Sequence, residues 1–306
     1  MNLDFLNLAY RQEVALYRIP EIIKGFFADG SALAFFKKLF AAVMAILECL
    51  GCIIFDTPIT PNGQQLDLSG YQIVLDEEFE GNALNTDIWE YRASGERRNG
   101  FNSPNQVKVE NGNLVITAEH KNGEYGEGWY AGMINLKKLY CKGYFEIRCK
   151  CNKDKGFWSA FWIQGSSPYD HYKSNGGIES AEIDIFEAMS ADKLLKAHRN
   201  CVTSTVHCNG VDDDIENIDS RCIGDFKVGR DIYDEYNTYG LEWTDDEYIF
   251  YINGVESGRT SFGKGVCVNP EQVIVSLEIP GDGLDKFDDD YKSYFTVDYV
   301  KIYEKK

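Results

Sequence analysis

The amino-acid sequence predicts an all-β domain, an antiparallel sandwich or barrel, over most of its 306 residues. Short runs that alternate apolar and polar residues recur along the chain, as in "VKVENGNLVITAE" and "EYIFYINGVE". Both runs contain the Asn-Gly pair that is typical of two-residue hairpin turns. The composition agrees, because 28 Gly, 19 Tyr and 18 Phe are typical of turn-rich sheet proteins. After residue 57 no helical period of useful length interrupts this pattern.

The first 56 residues differ in character and predict a helical, hydrophobic N-terminal extension. Its most apolar run, "LFAAVMAILECLGCIIF" at 39–55, follows Lys37 and Lys38 but contains Glu48, and it is just short of a comfortable membrane span. Two interpretations stay open: a membrane anchor or atypical secretory signal, and a soluble extension packed on the main domain. The first places the main domain outside the cell, secreted or membrane-anchored, with 39–55 as its contact with the membrane. The second also allows a cytoplasmic protein.

Residues 57–70 predict a linker, because "DTPITPNGQQLDLSG" at 56–70 contains Pro58, Pro61 and Gly63. The main domain is then 71–306. Its partner is expected to be neutral, because 31 Lys+Arg against 49 Asp+Glu give a net charge of −18, which disfavours nucleic acid, anionic membranes and sulfated polymers. The nine cysteines are scattered and odd in number, which predicts mostly free thiols. We expect a monomer.

The stretch "EIDIFE" at 182–187 places three carboxylates in a run that otherwise predicts a buried strand. Side chains alternate between the faces of a strand, so Glu182 and Asp184 share one face and regular alternation sends Glu187 to the other. A β-bulge in which Ile185 and Phe186 occupy one pleat position returns Glu187 to the face of the other acids. The alternative is an ordinary solvated strand face, but acids are poor strand formers and like charges on one strand are unfavourable.

Three acids on one face suit the cleavage of a glycosidic bond. Two carboxyl groups about 5–5.5 Å apart support double displacement, in which one attacks the anomeric carbon while the other protonates the leaving oxygen and then activates water. A third acid between them resists full ionisation of the cluster, so that one member keeps its proton near neutral pH. The segment therefore favours the cleavage of a glycosidic bond as the chemistry of this strand.

The segment also resembles the active-site signature of family 16 of the glycoside hydrolases, in the bulged form of laminarinase-like members. Similar flanks follow the family's order over 71–303, among them "LDEEFEGNALNTDIWEY", "KGYFEIRCK", "GFWSAFWIQG", "TVHCNG" and "FTVDYVKIY". The resemblance implies a concanavalin-like jelly-roll β-sandwich with a concave substrate cleft, retaining chemistry and a β-glycan substrate. By the motif match, Glu182 is the nucleophile, Glu187 is the acid/base, and Asp184 orients and tunes both.

The strand before the acids predicts part of a sugar-binding surface. In "GFWSAFWIQG" alternation puts Trp158, Trp162 and Gln164 on one face, and flat indole rings bind the apolar faces of sugars. Core packing is the alternative for either tryptophan. His207 lies in "STVHCNG", where the resemblance implies a histidine near the nucleophile; a core or surface histidine is the alternative.

Three further candidates to bind substrate come from less regular segments. The segment "ASGERRNGFNSPNQ" departs from the laminarinase-like pattern, and in it Arg98 and Asn102 are potential hydrogen-bond donors to sugar hydroxyls. Trp129, which follows the turn-rich "KNGEYGEG", is the third candidate. Solvated loop positions are the alternative for these residues.

The family resemblance also implies a structural calcium ion on the convex side, and no cofactor for catalysis. The matching positions are Glu78, the carbonyl of Gly112 and Asp298. Oxygen donors from strands far apart in sequence are ligands that calcium accepts. The alternative is that Asp298 is merely an acid on an edge strand. No zinc pattern, nucleotide-binding glycine loop or Ser-His-Asp order stands out.

The sequence thus predicts an endo-acting retaining β-glycan hydrolase for a neutral polysaccharide or oligosaccharide. The first substrate class is β-1,3- or mixed-linkage β-1,3/1,4-glucan, and β-galactan is next. A transglycosylase would use the same acids but pass the glycosyl unit to a sugar. A non-catalytic carbohydrate-binding protein on the same scaffold would show no turnover, and the intact Glu182 and Glu187 disfavour it.

Overall fold

The computed structural model describes residues 39–40, 42–44, 46–47, 58–153, 156–165, 174–189, 200–211, 218–281, 284 and 287–306. Within this part of the chain, eighteen strands and a short 3-10 helix, Pro104–Gln106 (η1), confirm the all-β prediction. The strands are β1 Tyr71–Glu77, β2 Trp89–Tyr91, β3 Gly95–Arg97, β4 Gly100–Asn102, β5 Val107–Glu110, β6 Asn113–Gly123, β7 Gly126–Ala131, β8 Met133–Leu136, β9 Gly143–Lys150, β10 Trp158–Gln164, β11 Glu182–Glu187, β12 Cys201–Asn209, β13 Ile218–Lys227, β14 Asn237–Trp243, β15 Tyr248–Ile252, β16 Val255–Thr260, β17 Gln272–Glu278 and β18 Lys292–Lys305.

The described strands form two sheets. The smaller sheet has seven strands in the order β13-β12-β11-β10-β17-β8-β2, so the acid-bearing strand β11 lies between β10 and β12. The larger sheet has eleven strands, in the order β16-β15-β14-β9-β18-β6-β7-β4-β3, with β1 paired to β18 and β5 paired to β6. Nearly all pairs are antiparallel, as predicted, and β4 with β7 is the parallel exception among the described pairs.

The hydrophobic core lies between the two sheets and shows which face of each sheet points outward. Phe186 of β11 stacks on Tyr239 of β14 with ring centroids 4.2 Å apart, so the sheets contact each other directly. Of the seven cysteines in the described residues, six are buried. We call the outward face of the smaller sheet the acid face and that of the larger sheet the far face. Polar residues that alternate with the core positions of β10, β11, β12 and β17 lie on the acid face.

The two Asn-Gly turns form as the sequence predicts. Asn111 and Gly112 have φ of 53° and 71° and join β5 to β6, while Asn253 and Gly254 have φ of 50° and 75° and join β15 to β16. Positive φ at both central residues is the requirement of the tight hairpin turn that matches strand twist, and Asn-Gly meets it at low cost.

The segment predicted as a linker is attached to the sandwich where the structure describes it. Ile59 is 2% exposed, and its amide donates to the carbonyl of Asp225 in β13 (2.8 Å). The amide of Gly63 donates to the carbonyl of Glu256 in β16 (3.0 Å). Because β13 and β16 each end their own sheet, the segment connects the edges of both sheets. The described part of the segment therefore lies against the sandwich, and the linker and the domain boundaries stay a prediction.

Most of the predicted N-terminal extension lies outside the described residues. Residues 39–40, 42–44 and 46–47 are helical, and the side chains of Leu39, Phe40, Val43, Met44 and Leu47 are exposed. Within the part of the chain that is described, helices do not reach the length and apolar character needed to cross a membrane.

Candidate active site

The three acids of β11 share the acid face because the strand is bulged. The pairing of β11 with β12 gains one residue between Asp184 and Glu187. Ile185 and Phe186, the residues at this irregularity, both point into the core and are 2% and 0% exposed. Glu187 thereby returns to the face of Glu182 and Asp184. The bulge predicted from the sequence is confirmed.

Two of the acids are held by side chains from neighbouring strands. The indole Nε1 of Trp158 in β10 donates to Oε1 of Glu187 (3.1 Å). Nε2 of His207 in β12 lies 3.1 Å from Oδ2 of Asp184, and Nδ1 of the same ring lies 2.6 Å from the hydroxyl of Ser220 in β13. Trp158 therefore orients Glu187, and the imidazole shared between β11 and β13 orients Asp184.

Burial and nearby negative charges raise the pKa of all three acids. Burial raises the pKa of Glu182 to about 7, with a further increase from Asp184 and a decrease from His207. Burial also raises the pKa of Asp184 to about 7, and it raises the pKa of Glu187 well above its usual range. A raised pKa allows a carboxyl group of this cluster to keep its proton near neutral pH, as a general acid must.

The predicted residues of β10 lie on the acid face beside the acids. Trp162 is 8% exposed, and its indole Nε1 donates to the hydroxyl of Ser276 in β17 (3.1 Å). Trp158 is less buried, and the guanidinium of Arg98 lies 4.7 Å from its ring centroid. Gln164 donates to Glu182. Trp158 can thus reach a sugar ring at its free edge, whereas Trp162 forms part of the floor.

Two candidates from the irregular segments do not reach the site. Trp129 is 7% exposed in the core and packs against Phe157 and Phe287 at centroid distances of 5.4 and 5.5 Å. Asn102 is 2% exposed at the end of β4 in the larger sheet. The assignment of both to substrate binding is corrected. Their short segments gave no alternation from which the inward direction of either side chain could be predicted.

Arg98 does reach the site, together with residues that the sequence did not single out. Nε of Arg98 lies 3.3 Å and Nη2 of Arg97 lies 2.8 Å from Oε2 of Glu278, which is 4% exposed on β17. Alternation in "QVIVSLE" places Gln272 and Glu278 on one face with Ser276, so period two could have found them. Arg92 follows β2 in a loop, where the sequence offered no such signal.

The described residues contain a group that could hold a metal ion. The ligand atoms of Glu182, Asp184 and His207 all lie within 4.8 Å of one another. The same oxygens and nitrogen form the acid site, so a bound cation would occupy the position of the reacting groups. The group is therefore part of the acid site and not a separate centre.

The two carboxylates among the three predicted calcium donors already have cationic partners. Asp298 pairs with Arg148, and Glu78 pairs with Lys301, which also lies 3.2 Å from Asp76. A calcium ion would have to displace both cations, because its oxygen ligands must face the ion. Calcium could therefore bind these two carboxylates only after Arg148 and Lys301 move away, and the calcium site stays a prediction.

Comparison with known proteins agrees with the fold. The family model described as the beta-porphyranase A-D, GH16 domain matches residues 74–305. The endo-1,3-1,4-beta-glycanase ExsH of Rhizobium meliloti (strain 1021) is 30% identical over 216 residues, which cover 66% of this chain and 40% of that protein. A beta-glucanase of Acetivibrio thermocellus is 28% identical over 221 residues, which cover 69% of this chain and 57% of that protein.

Solved structures of other proteins have the same two-sheet architecture. SCLam, a non-specific endo-beta-1,3(4)-glucanase from family GH16, superposes with a TM-score of 0.62 at 25% identity, covering 82% of this chain and 98% of that one. The two sheets are thus the jelly-roll sandwich of these neighbours. The chain spans about half the length of the curated relatives it matches. From its matched residues, the bulged acid strand and the sandwich around it, the chain belongs to glycoside hydrolase family 16.

Proposed function

We propose that the sandwich domain is an endo-acting retaining β-glycan hydrolase, with β-1,3- or mixed-linkage β-1,3/1,4-glucan as its first substrate class. The observation that carries the proposal is the bulge, which places Glu182, Asp184 and Glu187 on one buried face, where burial raises the pKa of each. The names of the relatives support the substrate class, since they include endo-1,3-1,4-beta-glycanase and beta-glucanase.

In the first step, a carboxylate oxygen of Glu182 attacks the anomeric carbon while Glu187 gives its proton to the leaving glycosidic oxygen. The C–O bond to the leaving sugar breaks, and a covalent glycosyl ester on Glu182 forms. In the second step, Glu187 takes a proton from water, whose oxygen attacks the anomeric carbon and releases Glu182 as a carboxylate. Asp184 interacts electrostatically with both Glu182 and Glu187, and its pairing with His207 stabilises its position. Side chains of this protein supply the nucleophile, the acid and the base in both steps.

A panel of glycans tests the proposal most directly. Reducing-end release should appear with laminarin and mixed-linkage β-glucan, with internal cleavage giving a rapid fall in polymer size. Proton NMR of the first product, before mutarotation, should show the β anomer. An α anomer would contradict the retaining mechanism, and no turnover on any member of the panel would favour a carbohydrate-binding protein. Longer products with excess sugar acceptor would indicate a transglycosylase.

β-Galactan is the second candidate substrate. The matching family model is described as a beta-porphyranase domain, and a cluster of arginines stands beside Trp158 and Trp162 at one end of the site. These residues are Arg92, Arg97 and Arg98. Their charge is partly balanced by Glu278, so the cluster also fits a neutral sugar. Agarose and porphyran in the same panel separate the two substrate classes.

We also infer that the domain acts outside the cell as a monomer, secreted or held at a membrane through 39–55. The exposed apolar side chains of the helical residues from Leu39 to Leu47 support this inference. Cell fractionation of the full chain, compared with a chain that starts at residue 58, tests it. Recovery of both chains in the cytosolic fraction would favour the alternative of a soluble extension.

A further inference from the structure

A row of polar side chains links the acid Glu182 to a residue outside the three-acid cluster. Glu182 accepts a hydrogen bond from the side-chain amide of Gln164 in β10. The carbonyl oxygen of the same amide accepts from Nη2 of Arg92 (3.0 Å), in the loop after β2. Nη1 of Arg92 donates to the side chain of Gln272 in β17. One guanidinium therefore bridges two strands and reaches Glu182 through a single amide.

The donors and acceptors in this row determine which way the side-chain amide of Gln164 is oriented. A guanidinium has only N–H donors, so it must meet the oxygen of Gln164. The NH₂ group then faces Glu182, whose ionised form has only acceptors. Without Arg92 nothing in this row prevents a half-turn of the amide that would bring its oxygen to the carboxylate. That arrangement would favour the protonated form of Glu182, which cannot attack.

Arg92 is itself fixed. It is half-buried, and its guanidinium lies over the ring of Trp162 at 5.7 Å from the centroid, on the floor of the site. Gln164 is buried at 6% exposure. Burial and the charge of Arg97 lower the pKa of Arg92, while the charges of Glu182, Glu90 and Glu278 raise it. A guanidinium stays charged in such a position, whereas an ammonium group loses its proton more readily on burial.

Building on the proposed function, we propose that Arg92 is a positioning residue that acts through Gln164 to keep the nucleophile Glu182 ionised and correctly oriented. It touches neither the acid/base Glu187 nor the bond that breaks. The fork of its guanidinium is required, because it must donate to Gln164 and to Gln272 at once. A lysine can supply the charge but has no planar fork for both acceptors.

The first test needs no substrate. NMR titration of the glutamate side-chain carboxyls, with the Glu182 signal identified by its loss in Glu182→Gln, measures the pKa of Glu182 directly. Arg92→Gln should raise that pKa by about one unit, and Arg92→Lys should raise it less. Arg148→Gln removes an arginine on the far face and should leave it unchanged. An unchanged pKa of Glu182 in folded Arg92→Gln would overturn the proposal, whatever the enzyme's substrate.

The second test is a double-mutant cycle on an activated aryl β-glycoside that the wild type cleaves, whose leaving group needs no proton. Arg92→Gln and Gln164→Ala should each lower kcat/KM about tenfold and move the acid limb of its pH profile upward, with little change in KM. Because both act on one path, the double variant should be less than threefold worse than the poorer single variant. Fully additive losses, or a rise in KM alone, would show that Arg92 contacts substrate and would overturn the relay. Melting temperatures confirm that each variant is folded.

Discussion

The two outward faces of the sandwich use the same residue types in opposite ways. On the acid face, Glu182 and Glu187 are buried against neutral donors from Gln164 and Trp158, and burial raises their pKa. On the far face, Glu146 accepts from the hydroxyls of Tyr144 and Tyr299, at 2.7 Å each, and other acids there have cationic partners. These pairs on the far face contribute to the stability of the fold. The difference teaches that the arrangement of partners, and not the number of acids, makes one face reactive.

The largest difference between the two faces is expected when the acids of the reactive face are removed. Glu182→Ala should lose at least about 10⁴-fold in kcat/KM on every substrate, because no carboxylate remains to form the glycosyl ester. Glu187→Ala should lose a similar factor on polysaccharide but should still be glycosylated by activated aryl glycosides. Azide should then release a glycosyl azide that keeps the β configuration, as NMR of the product can show.

The matched control is Glu146→Ala on the far face, which should keep kcat/KM within about twofold because it lies across the core from the acids. If azide restored activity to Glu182→Ala and gave a β-azide, the roles assigned to Glu182 and Glu187 would have to be exchanged. Asp184→Asn should be intermediate, with about a hundredfold loss, because it keeps the shape of the side chain and removes its charge.

Cutting the segment that connects both sheets should have the next largest effect. A chain that starts at residue 58 keeps Ile59 in the core and should melt within about 2 °C of the full chain. A chain that starts at residue 71 loses Ile59, and with it Leu66 and Leu68, which pack on the far face. Its melting temperature should fall by at least about 5 °C, since burial of one large aliphatic side chain contributes about 1.5–3 kcal/mol.

Equal melting temperatures for the two shortened chains would show that the segment lies on the sandwich without stabilising it. Loss of solubility in the chain that starts at residue 58 would place the N-terminal extension in the core of the domain.

The two faces should also respond differently to pH. The folded-state pKa of Glu182 is raised to about 7, above the usual value of about 4.3, so the folded chain holds a proton that the unfolded chain has lost. The stability from this group is therefore complete below about pH 4 and is lost as the pH rises through about 7. Glu182→Gln should raise the melting temperature at pH 8 by about 3–6 °C, and the gain should shrink at pH 5.

Glu146→Gln provides the comparison for the far face. It removes a charged acceptor from two tyrosine hydroxyls and should lower the melting temperature at both pH values by about 2–5 °C. A fall in the melting temperature of Glu182→Gln at pH 8 would mean that the charge of Glu182 is compensated by its partners.

The smallest effect is expected from chelation. Arg148 and Lys301 already pair with Asp298 and Glu78, so a chelator should change the melting temperature by less than about 1 °C. Differential scanning calorimetry with and without chelator measures this, with metal content determined beforehand. A fall of several degrees that added calcium reverses would show that the ion displaces both cations, as the family resemblance implies.

The sequence went furthest where a regular period applied. Alternation along β10 predicted that Trp158, Trp162 and Gln164 share a face, and the mismatch in alternation at Glu187 predicted the bulge. It gave no direction for Trp129, which lies in β7 between β6 and β4 and packs in the core. A segment of only a few residues shows too little alternation to define a face. The direction of its side chains then depends on strands that are distant in the chain.

The sequence by itself determined the all-β class, the hairpin turns at Asn111 and Asn253, and the family of the acid motif, because all of these follow from local backbone preference and spacing. Only the tertiary structure decided that Arg92 reaches Glu182 through Gln164, and that Ile59 joins the core. Arg92 and Glu182 are ninety positions apart in the chain. Gln164 of β10 links them because the sheet order places β10 between the strands that carry Gln272 and Glu182. Side-chain contacts of that kind depend on strand order and register, which no local pattern encodes.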